Sequence, residues 1–157
     1  MGEDVDVVVV GAGLSGVGAA CHLRRECPEE SVLVLEARER MGGTWDLFRY
    51  PGVRSDSDMF TLAYDFAPWR DERAIVQGAD IQRYVEDTAR AYGVDARTRF
   101  SHRVVRADWS SDDRRWHLSV DHAGTELAVT CRFLWVCTGY YRYDAGHQPH
   151  LEGQEEF

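Results

Sequence analysis

The chain has 157 residues, of which 44% are hydrophobic and 29% charged, as expected for one globular domain with a core of its own. Its 27 acidic and 18 basic residues give a formal net charge of −9, which argues against a general nucleic-acid binder because that function needs a basic surface. Every basic residue is arginine, which excludes a lysine-containing phosphate loop and a lysine Schiff base.

No apolar run approaches the roughly 18 residues that a membrane-spanning helix needs, so we expect no integral membrane segment. The acidic start of the chain is unlike a secretory leader and predicts a cytoplasmic protein. The four cysteines form no C-x-x-C pair and indicate neither disulfides nor a zinc site. His147 and His150 lie close in sequence but lack acidic or thiol partners at ligand spacing, so we predict no metal site.

The first 36 residues predict a strand–helix–strand unit. Residues 5–10 form a nearly continuous β-branched run, which is typical of a parallel strand buried on both faces. Apolar residues at helical spacing then predict a helix from residue 14 to about residue 27. A second buried strand is predicted over residues 31–35. Together these elements predict an α/β fold with a parallel, Rossmann-like sheet.

Residues 38–69 predict a long and mostly irregular segment, rich in glycine, proline, aspartate and aromatic residues. Connections of this length in a compact domain usually carry function. Within the segment we predict a short helix over residues 58–66, with Ser57 or Asp56 as its N-cap. A further helix is predicted over residues 80–92, where Gly93 ends it.

The remaining sequence predicts strands. Residues 100–109, 115–120 and 125–130 predict a three-stranded antiparallel excursion, with turns at residues 112–113 and 122–124. Residues 131–136 predict a strand that returns to the parallel sheet and ends at the C-T-G of residues 137–139. Polar loop is predicted from Tyr140 onward.

The glycine turn G-x-G-x-x-G lies between a predicted strand and a predicted helix, the context that dinucleotide binding requires. Gly11 permits the tight turn, Gly13 lets a pyrophosphate approach the backbone, and Gly16 lets the helix pack closely on the strand. Glu36 ends the second strand, where its carboxylate can accept both hydroxyls of an adenosine ribose. The alternative, in which these glycines serve packing alone, is disfavoured by that context.

The strand–helix–strand unit does not by itself separate FAD from NAD. Glu36 argues only against a 2′-phosphate on that ribose. The run R-M-G-G-T-W over residues 40–45 resembles the flavoprotein pattern, in which the loop containing Gly43 runs along the pyrophosphate and the flavin. The β-excursion and the C-T-G that follows it also resemble the FAD domain of flavoproteins with two dinucleotide sites. FAD is therefore favoured, with an ordinary NAD-binding domain as the alternative.

The run G-G-T-W-D-L-F-R-Y-P-G-V-R-S-D-S-D over residues 42–58, followed by F-A-P-W at residues 66–69, resembles the class B flavoprotein monooxygenases of the Baeyer–Villiger type. The ethionamide-activating subgroup is the most similar, and C-T-G-Y-Y-R-Y-D at residues 137–144 supports it. The resemblance covers essentially the whole chain. It implies tightly bound FAD, NADPH as reductant, and O2 captured as a flavin C4a-peroxide that oxygenates a small ketone or oxidises a thioether-like, thioamide-like or nitrogen centre.

Carried onto this sequence, the resemblance also implies a set of site residues. Those expected to hold the ADP half of FAD are Gly11, Gly13, Ser15, Gly16 and Glu36, with the backbone of Val104 meeting the adenine. Those expected on the flavin side are Gly43, Thr44, Trp45, Asp46 and Leu47. Arg54 and Ser55 are expected near NADP. Asp56 matches a family aspartate beside the flavin that is thought to orient a catalytic arginine and the nicotinamide.

Several of these residues admit a structural interpretation as well. Asp56 also fits a helix N-cap or a turn carboxylate, a role compatible with catalysis. Asp56 and Asp58 supply too few oxygen ligands for a divalent metal. Trp45, Phe48 and Tyr50 fit either stacking on the flavin or core packing, and we predict a functional role only for Trp45.

Members of the family are longer than this chain and carry a second glycine motif, absent here, for NADPH. Their F-x-G-x-x-x-H signature is expected to begin at about Phe157, with the catalytic arginine further on. We therefore expect an N-terminal FAD-binding domain over residues 1–157 that is inactive alone and exposes apolar sheet surface. The alternative is a non-catalytic FAD-binding module that functions as it stands.

Overall fold

The computed structural model describes residues 2–141 and 143–156, so that Phe157, at which the family signature is expected to begin, lies outside it. Six strands in the described part form one mixed sheet in the order β3-β2-β1-β6-β5-β4. The strands are β1 (Glu3–Val10), β2 (Val32–Leu35), β3 (Thr98–Arg99), β4 (Arg103–Ser110), β5 (Arg115–His122) and β6 (Thr125–Val136). The α-helices are α1 (Leu14–Glu26), α2 (Thr44–Leu47), α3 (Met59–Leu62) and α4 (Gly78–Ala91). Short 3₁₀ turns occur at Asp95–Arg97 and Gln154–Glu156.

The centre of the sheet is parallel, as the strand–helix–strand pattern predicts. β1 lies between β2 and β6 and is parallel to both, with Val8 opposite Leu33 on one side and Leu134 on the other. β4, β5 and β6 pair antiparallel and form the predicted three-stranded excursion. The predicted Rossmann-like α/β class with an antiparallel excursion is therefore confirmed.

The prediction of two separate strands over residues 125–130 and 131–136 is wrong, because β6 is a single strand of 12 residues. The two predicted strands follow each other directly, with no turn residue to separate them. The first part of β6 pairs antiparallel with β5, and the part from Val129 onward pairs parallel with β1. One long strand thus joins the excursion to the parallel sheet without a break.

The predicted strand over residues 100–109 begins later, at Arg103. Ser101 adopts a left-handed conformation with φ of 58°, which turns the chain before the strand starts. The residues ahead of that turn form β3, which pairs parallel with the end of β2. This short edge strand had no sequence signal, since two residues are too few to show a period.

The helices of the middle segment also differ from prediction. α3 spans only four residues, and its N-cap is Asp58, whose Oδ1 accepts the N–H of Thr61 at 2.9 Å. Ser57 and Asp56, the predicted N-caps, precede it. α2 lies where only irregular chain was predicted. α4 begins at Gly78, two residues before its predicted start.

The sheet separates two apolar layers. On one face, β1 side chains such as Val7 and Val9 pack with α1 and α4. On the other, Val8, Leu33 and Leu35 pack with buried residues of β5 and β6. The last part of β6 has no such cover, because Phe133, Trp135 and Val136 are 57%, 41% and 61% exposed. Within residues 2–141 and 143–156, no helix is both long and apolar enough to cross a membrane.

Candidate dinucleotide site

Gly11 starts the glycine turn directly after β1. Its φ of +103° lies in the region that favours glycine, and its N–H donates to the Leu35 carbonyl at 2.8 Å. A Cβ at this position would lie 2.5 Å from the Cys137 carbonyl oxygen, which follows the end of β6. The turn is thus enclosed by β2 on one side and by β6 on the other.

The N-terminus of α1 directly follows this turn. Gly16 lets the helix approach, since a Cβ there would lie 1.8 Å from the Gly11 carbonyl oxygen. Gly13 is the N-cap residue and provides no side-chain cap, and the first turn contains no acidic residue. Ser15 lies exposed in the same turn. A helix N-terminus with open N–H groups attracts anions such as phosphate.

Glu36 follows β2 and is only 6% exposed. Its Oε2 accepts the N–H of Ala12 at 2.7 Å, and its Oε1 accepts the N–H of Arg38 at 2.9 Å. Each carboxylate oxygen has a further lone pair, so the group can still accept hydroxyls. The carbonyl of Glu36 accepts the N–H of His102 at 2.8 Å, which places the start of β4, including the half-buried Val104, beside it.

The second glycine pair lies directly against the first glycine turn. The N–H of Gly42 donates to the Ala12 carbonyl at 2.9 Å. Gly42 and Gly43 have φ of +121° and +56°, and a Cβ on Gly43 would lie 2.9 Å from the Cα of Gly13. Two stretches of bare backbone, separated by about thirty residues of sequence, therefore form one continuous surface beside the α1 N-terminus.

Asp46 is the centre of a charged cluster beside the second glycine pair. It is 4% exposed, and its carboxylate accepts Arg38 Nη2 and Arg49 Nη2, each at 2.6 Å, and Gln82 Nε2 at 3.1 Å. Arg40 Nε lies 3.6 Å away. Burial alone would raise the pKa of Asp46, but the hydrogen bonds from Arg49 and Arg38 outweigh it and hold that pKa below its usual range. The carboxylate is thus committed to protein partners.

The other residues expected on the flavin side are half-buried in α2. Trp45 packs against a small core cluster that includes Met59 and Ile81, so part of its ring has a structural role. The hydroxyl of Thr44 lies 3.5 Å from that of Tyr143. Leu47 is half-buried at the end of the same helix.

Arg54, Ser55 and Asp56 lie on a loop that is fixed to the segment before α4. Ser55 is buried, its N–H donates to the Val76 carbonyl at 3.1 Å, and its Oγ accepts the Val76 N–H at 3.3 Å. Arg54 forms a β-bridge with Gln77. Asp56 is exposed.

Asp56 lies within electrostatic range of the segment that follows β6. A hydrogen bond from Tyr140 raises the pKa of Tyr141, and the Asp56 charge adds to that rise. The N-cap interpretation of Asp56 is wrong, since Asp58 has that role. The Asp58 carboxylate accepts hydrogen bonds from the N–H and the hydroxyl of Thr61. Among the described residues, no group of three or more potential ligands is placed to hold a metal ion.

Sequence reasoning missed the partners that surround these residues. Arg49 lies three residues after Asp46. This spacing predicts an ion pair only in a helix, and this segment was predicted to be irregular. Gln82 and His102 reach the site from α4 and from the turn before β4, and nothing in their own sequence surroundings indicates it. The site therefore depends on more of the chain than its glycine motifs.

Comparisons with known proteins agree with this geometry. A domain family described as an NAD(P)-binding Rossmann-like domain matches residues 9–71. The whole chain is 54% identical to the FAD-containing monooxygenase EthA of Mycobacterium tuberculosis, and it spans 32% of that protein's length.

Solved structures extend the similarity to the fold. A crystal structure of OTEMO in complex with FAD and NADP superimposes with a TM-score of 0.79 at 34% identity, over 98% of this chain and 29% of that one. An oxidised steroid monooxygenase bound to NADP gives a TM-score of 0.79 at 31% identity, over 87% of this chain and 26% of that one. The chain is therefore similar to FAD-containing monooxygenases and spans about a third of the length of the relatives that it matches.

Proposed function

We propose that this chain binds FAD as the FAD-binding part of an NADPH-dependent monooxygenase. The observation that carries the proposal is the hydrogen bond from Gly42 N to Ala12 O, which places two glycine turns side by side at the N-terminus of α1. One such turn suffices for the diphosphate of any dinucleotide. The second extends the bare backbone toward α2, which suits a ligand that continues beyond its diphosphate into a large ring system.

The residues present fit FAD along its length. The open N–H groups of α1 suit the diphosphate, and the remaining lone pairs of Glu36 suit the ribose hydroxyls. The residues that we propose for the ADP half are Gly11, Gly13, Ser15, Gly16, Glu36 and, at the adenine, Val104. Those that we propose for the flavin side are Gly43, Thr44, Trp45, Asp46 and Leu47.

We propose that Asp56 has the catalytic role of a carboxylate that holds a cation and the nicotinamide in position, with Arg54 and Ser55 nearby at NADP. Its exposure supports a position open to a ligand or to another part of the protein. A carboxylate that fixes a cation can stabilise negative charge that develops during a reaction. Bound FAD, reduced by NADPH, would supply the O2-activating chemistry for a small ketone or a thioether-like or thioamide-like substrate.

The chain spans about a third of the curated relative described above, and we propose that oxygenation requires the remaining length. The alternative, a non-catalytic FAD-binding module, predicts the same FAD binding without NADPH oxidation when the longer polypeptide is supplied. We also propose a cytoplasmic location, since all four cysteines are free thiols, as is usual in a reducing compartment.

The decisive experiment is a titration of the purified chain with FAD and, separately, with NAD, followed by calorimetry and by the visible spectrum of the flavin. We expect stoichiometric FAD binding and NAD binding weaker by about a hundredfold or more, equivalent to roughly 3 kcal/mol. Binding of NAD in preference to FAD would overturn the proposal.

A matched pair of glycine variants tests the location of the ligand. In Gly13→Val the backbone, at φ −80°, accepts a side chain, and the new atoms point toward Gly43 from a Cβ 3.4 Å from its Cα. We expect FAD binding to be lost while the fold persists. Gly146→Val, where no atom lies within 4 Å of a Cβ, is the control and should bind FAD like the wild type.

A further inference from the structure

We infer that Asp46 is a positioning residue of the FAD site, whose buried carboxylate holds the second glycine turn against the first. The inference rests on the proposed function and deepens it. The Asp46 carboxylate has this role through its protein partners, in addition to the position on the flavin side that we propose for the residue above.

The carboxylate joins three separate parts of the chain. Arg38 comes from the segment after β2, Arg49 from the segment after α2, and Gln82 from α4. The backbone N–H of Arg38 also donates to Glu36 at 2.9 Å. A continuous series of hydrogen bonds therefore runs from the proposed ribose carboxylate, through Arg38 and Asp46, to α4.

The same cluster encloses the second glycine turn. A Cβ on Gly42 would lie 3.2 Å from the Cβ of Asp46 and 3.0 Å from Cγ of Gln82, and the N–H of Asp46 donates to the Gly43 carbonyl at 3.2 Å. Gln82 Nε2 also reaches the Met41 carbonyl at 3.4 Å. Gly42 is thus held on one side by these side chains and on the other by its hydrogen bond to Ala12.

Charge explains why a carboxylate is needed at this point. Arg38, Arg40 and Arg49 converge within 4 Å of the single acid Asp46. A neutral side chain would leave these guanidinium groups to repel one another beside the glycine turn. Because the turn has φ values that only glycine adopts easily, it has little intrinsic preference for its conformation and depends on this external support.

The test compares Asp46→Asn with Asp108→Asn, which removes an arginine-paired carboxylate on the exposed face of β4. FAD affinity and the visible circular dichroism of saturated, bound FAD are measured for both variants and the wild type. We expect Asp46→Asn to weaken FAD binding by at least about tenfold, as loss of a charged hydrogen bond does, and to change the dichroism at saturation. Asp108→Asn should leave both unchanged.

A purely structural role would lower the stability of the ligand-free protein but leave the dichroism of saturated FAD as in the wild type, and that result would overturn the inference. If Asp46→Asn does not fold, Gln82→Leu, which removes one donor to the same carboxylate, is judged by the same spectrum. A wild-type chain that does not bind FAD refutes the proposed function itself. If the wild type binds FAD and the variants show the same dichroism as the wild type, only the role of Asp46 is refuted.

Discussion

Glu36 accepts a hydrogen bond of 2.7 Å from the backbone N–H of Ala12, and this contact joins the acid at the end of β2 to the glycine turn after β1. The residue proposed to bind the ribose therefore also holds the backbone proposed to bind the diphosphate. A change at Glu36 should affect both ligand affinity and the conformation of the turn.

Glu36→Gln is expected to lower the free energy of unfolding by about 2 kcal/mol, because the amide nitrogen cannot accept one of the two backbone N–H groups now bound. FAD affinity should fall with it by more than about tenfold. Urea denaturation and FAD titration measure the two effects. Glu39→Gln, at an exposed position nearby, is the control, and equal FAD affinity in the two variants would contradict the proposed role of Glu36.

Asp46 is expected to make the folded state sensitive to acid. Its pKa is lowered in the folded protein, so its contribution to stability is complete above the unfolded value of 3.8 and is lost as the pH falls through the folded pKa. The stability difference between the wild type and Asp46→Asn should therefore be constant above about pH 5 and shrink below about pH 4. Denaturant midpoints across this range measure it, and a difference that grows toward low pH would be inconsistent with the ion pairs described.

Gly16→Ala should destabilise the fold by about 3 kcal/mol, since the added methyl would lie 1.8 Å from the Gly11 carbonyl oxygen and force α1 away from the turn. Gly146→Ala adds the same methyl where nothing lies within 4 Å. Chemical denaturation of the two variants provides the comparison. A loss below about 0.5 kcal/mol for Gly16→Ala would show that α1 does not pack so closely on the turn.

The reactivity of the cysteine thiols tests which of them are buried in the core, and this test needs no ligand. Burial raises the pKa of Cys21 to about 11, whereas Cys27 is exposed at the end of α1. Because the thiolate is the reactive form, we expect Cys27 to account for the fast phase of labelling by a disulfide reagent at pH 8. Cys27→Ser should abolish that phase, and its persistence would mean that the half-buried Cys137 or one of the buried thiols, Cys21 and Cys131, is accessible.

The uncovered end of β6 is expected to promote self-association. Phe133 and Trp135 lie opposite Val7 and Val9 in the sheet register, but only the valines are buried against the helices. The double variant Phe133→Ser, Trp135→Ser should bind less of an apolar dye and remain monomeric at higher concentration. Val105→Ser, which changes one exposed apolar residue of β4, should change neither property, and light scattering distinguishes the outcomes.

Much of this arrangement could be predicted from local sequence. A run of β-branched residues, a glycine turn and helical spacing lie within 36 residues, and each pattern depends on neighbours in the chain. The parallel centre of the sheet, the antiparallel excursion and the positions of Gly11, Gly16 and Glu36 beside one turn were therefore predictable. The resemblance of residues 42–58 to a known family added the identity of the ligand that we propose.

Other features depended on contacts between distant parts of the chain. Asp46 looks like a surface residue of a loop, but its carboxylate is buried and accepts hydrogen bonds from Arg38, from Arg49 and from Gln82, which lies 36 residues later. β6 is continuous because it has a strand partner on each side, β5 and β1. Asp58 is the N-cap because the short helix begins at Met59, whose N–H donates to the Ala74 carbonyl. Burial and charge pairing are properties of the assembled fold, and a linear pattern does not contain them.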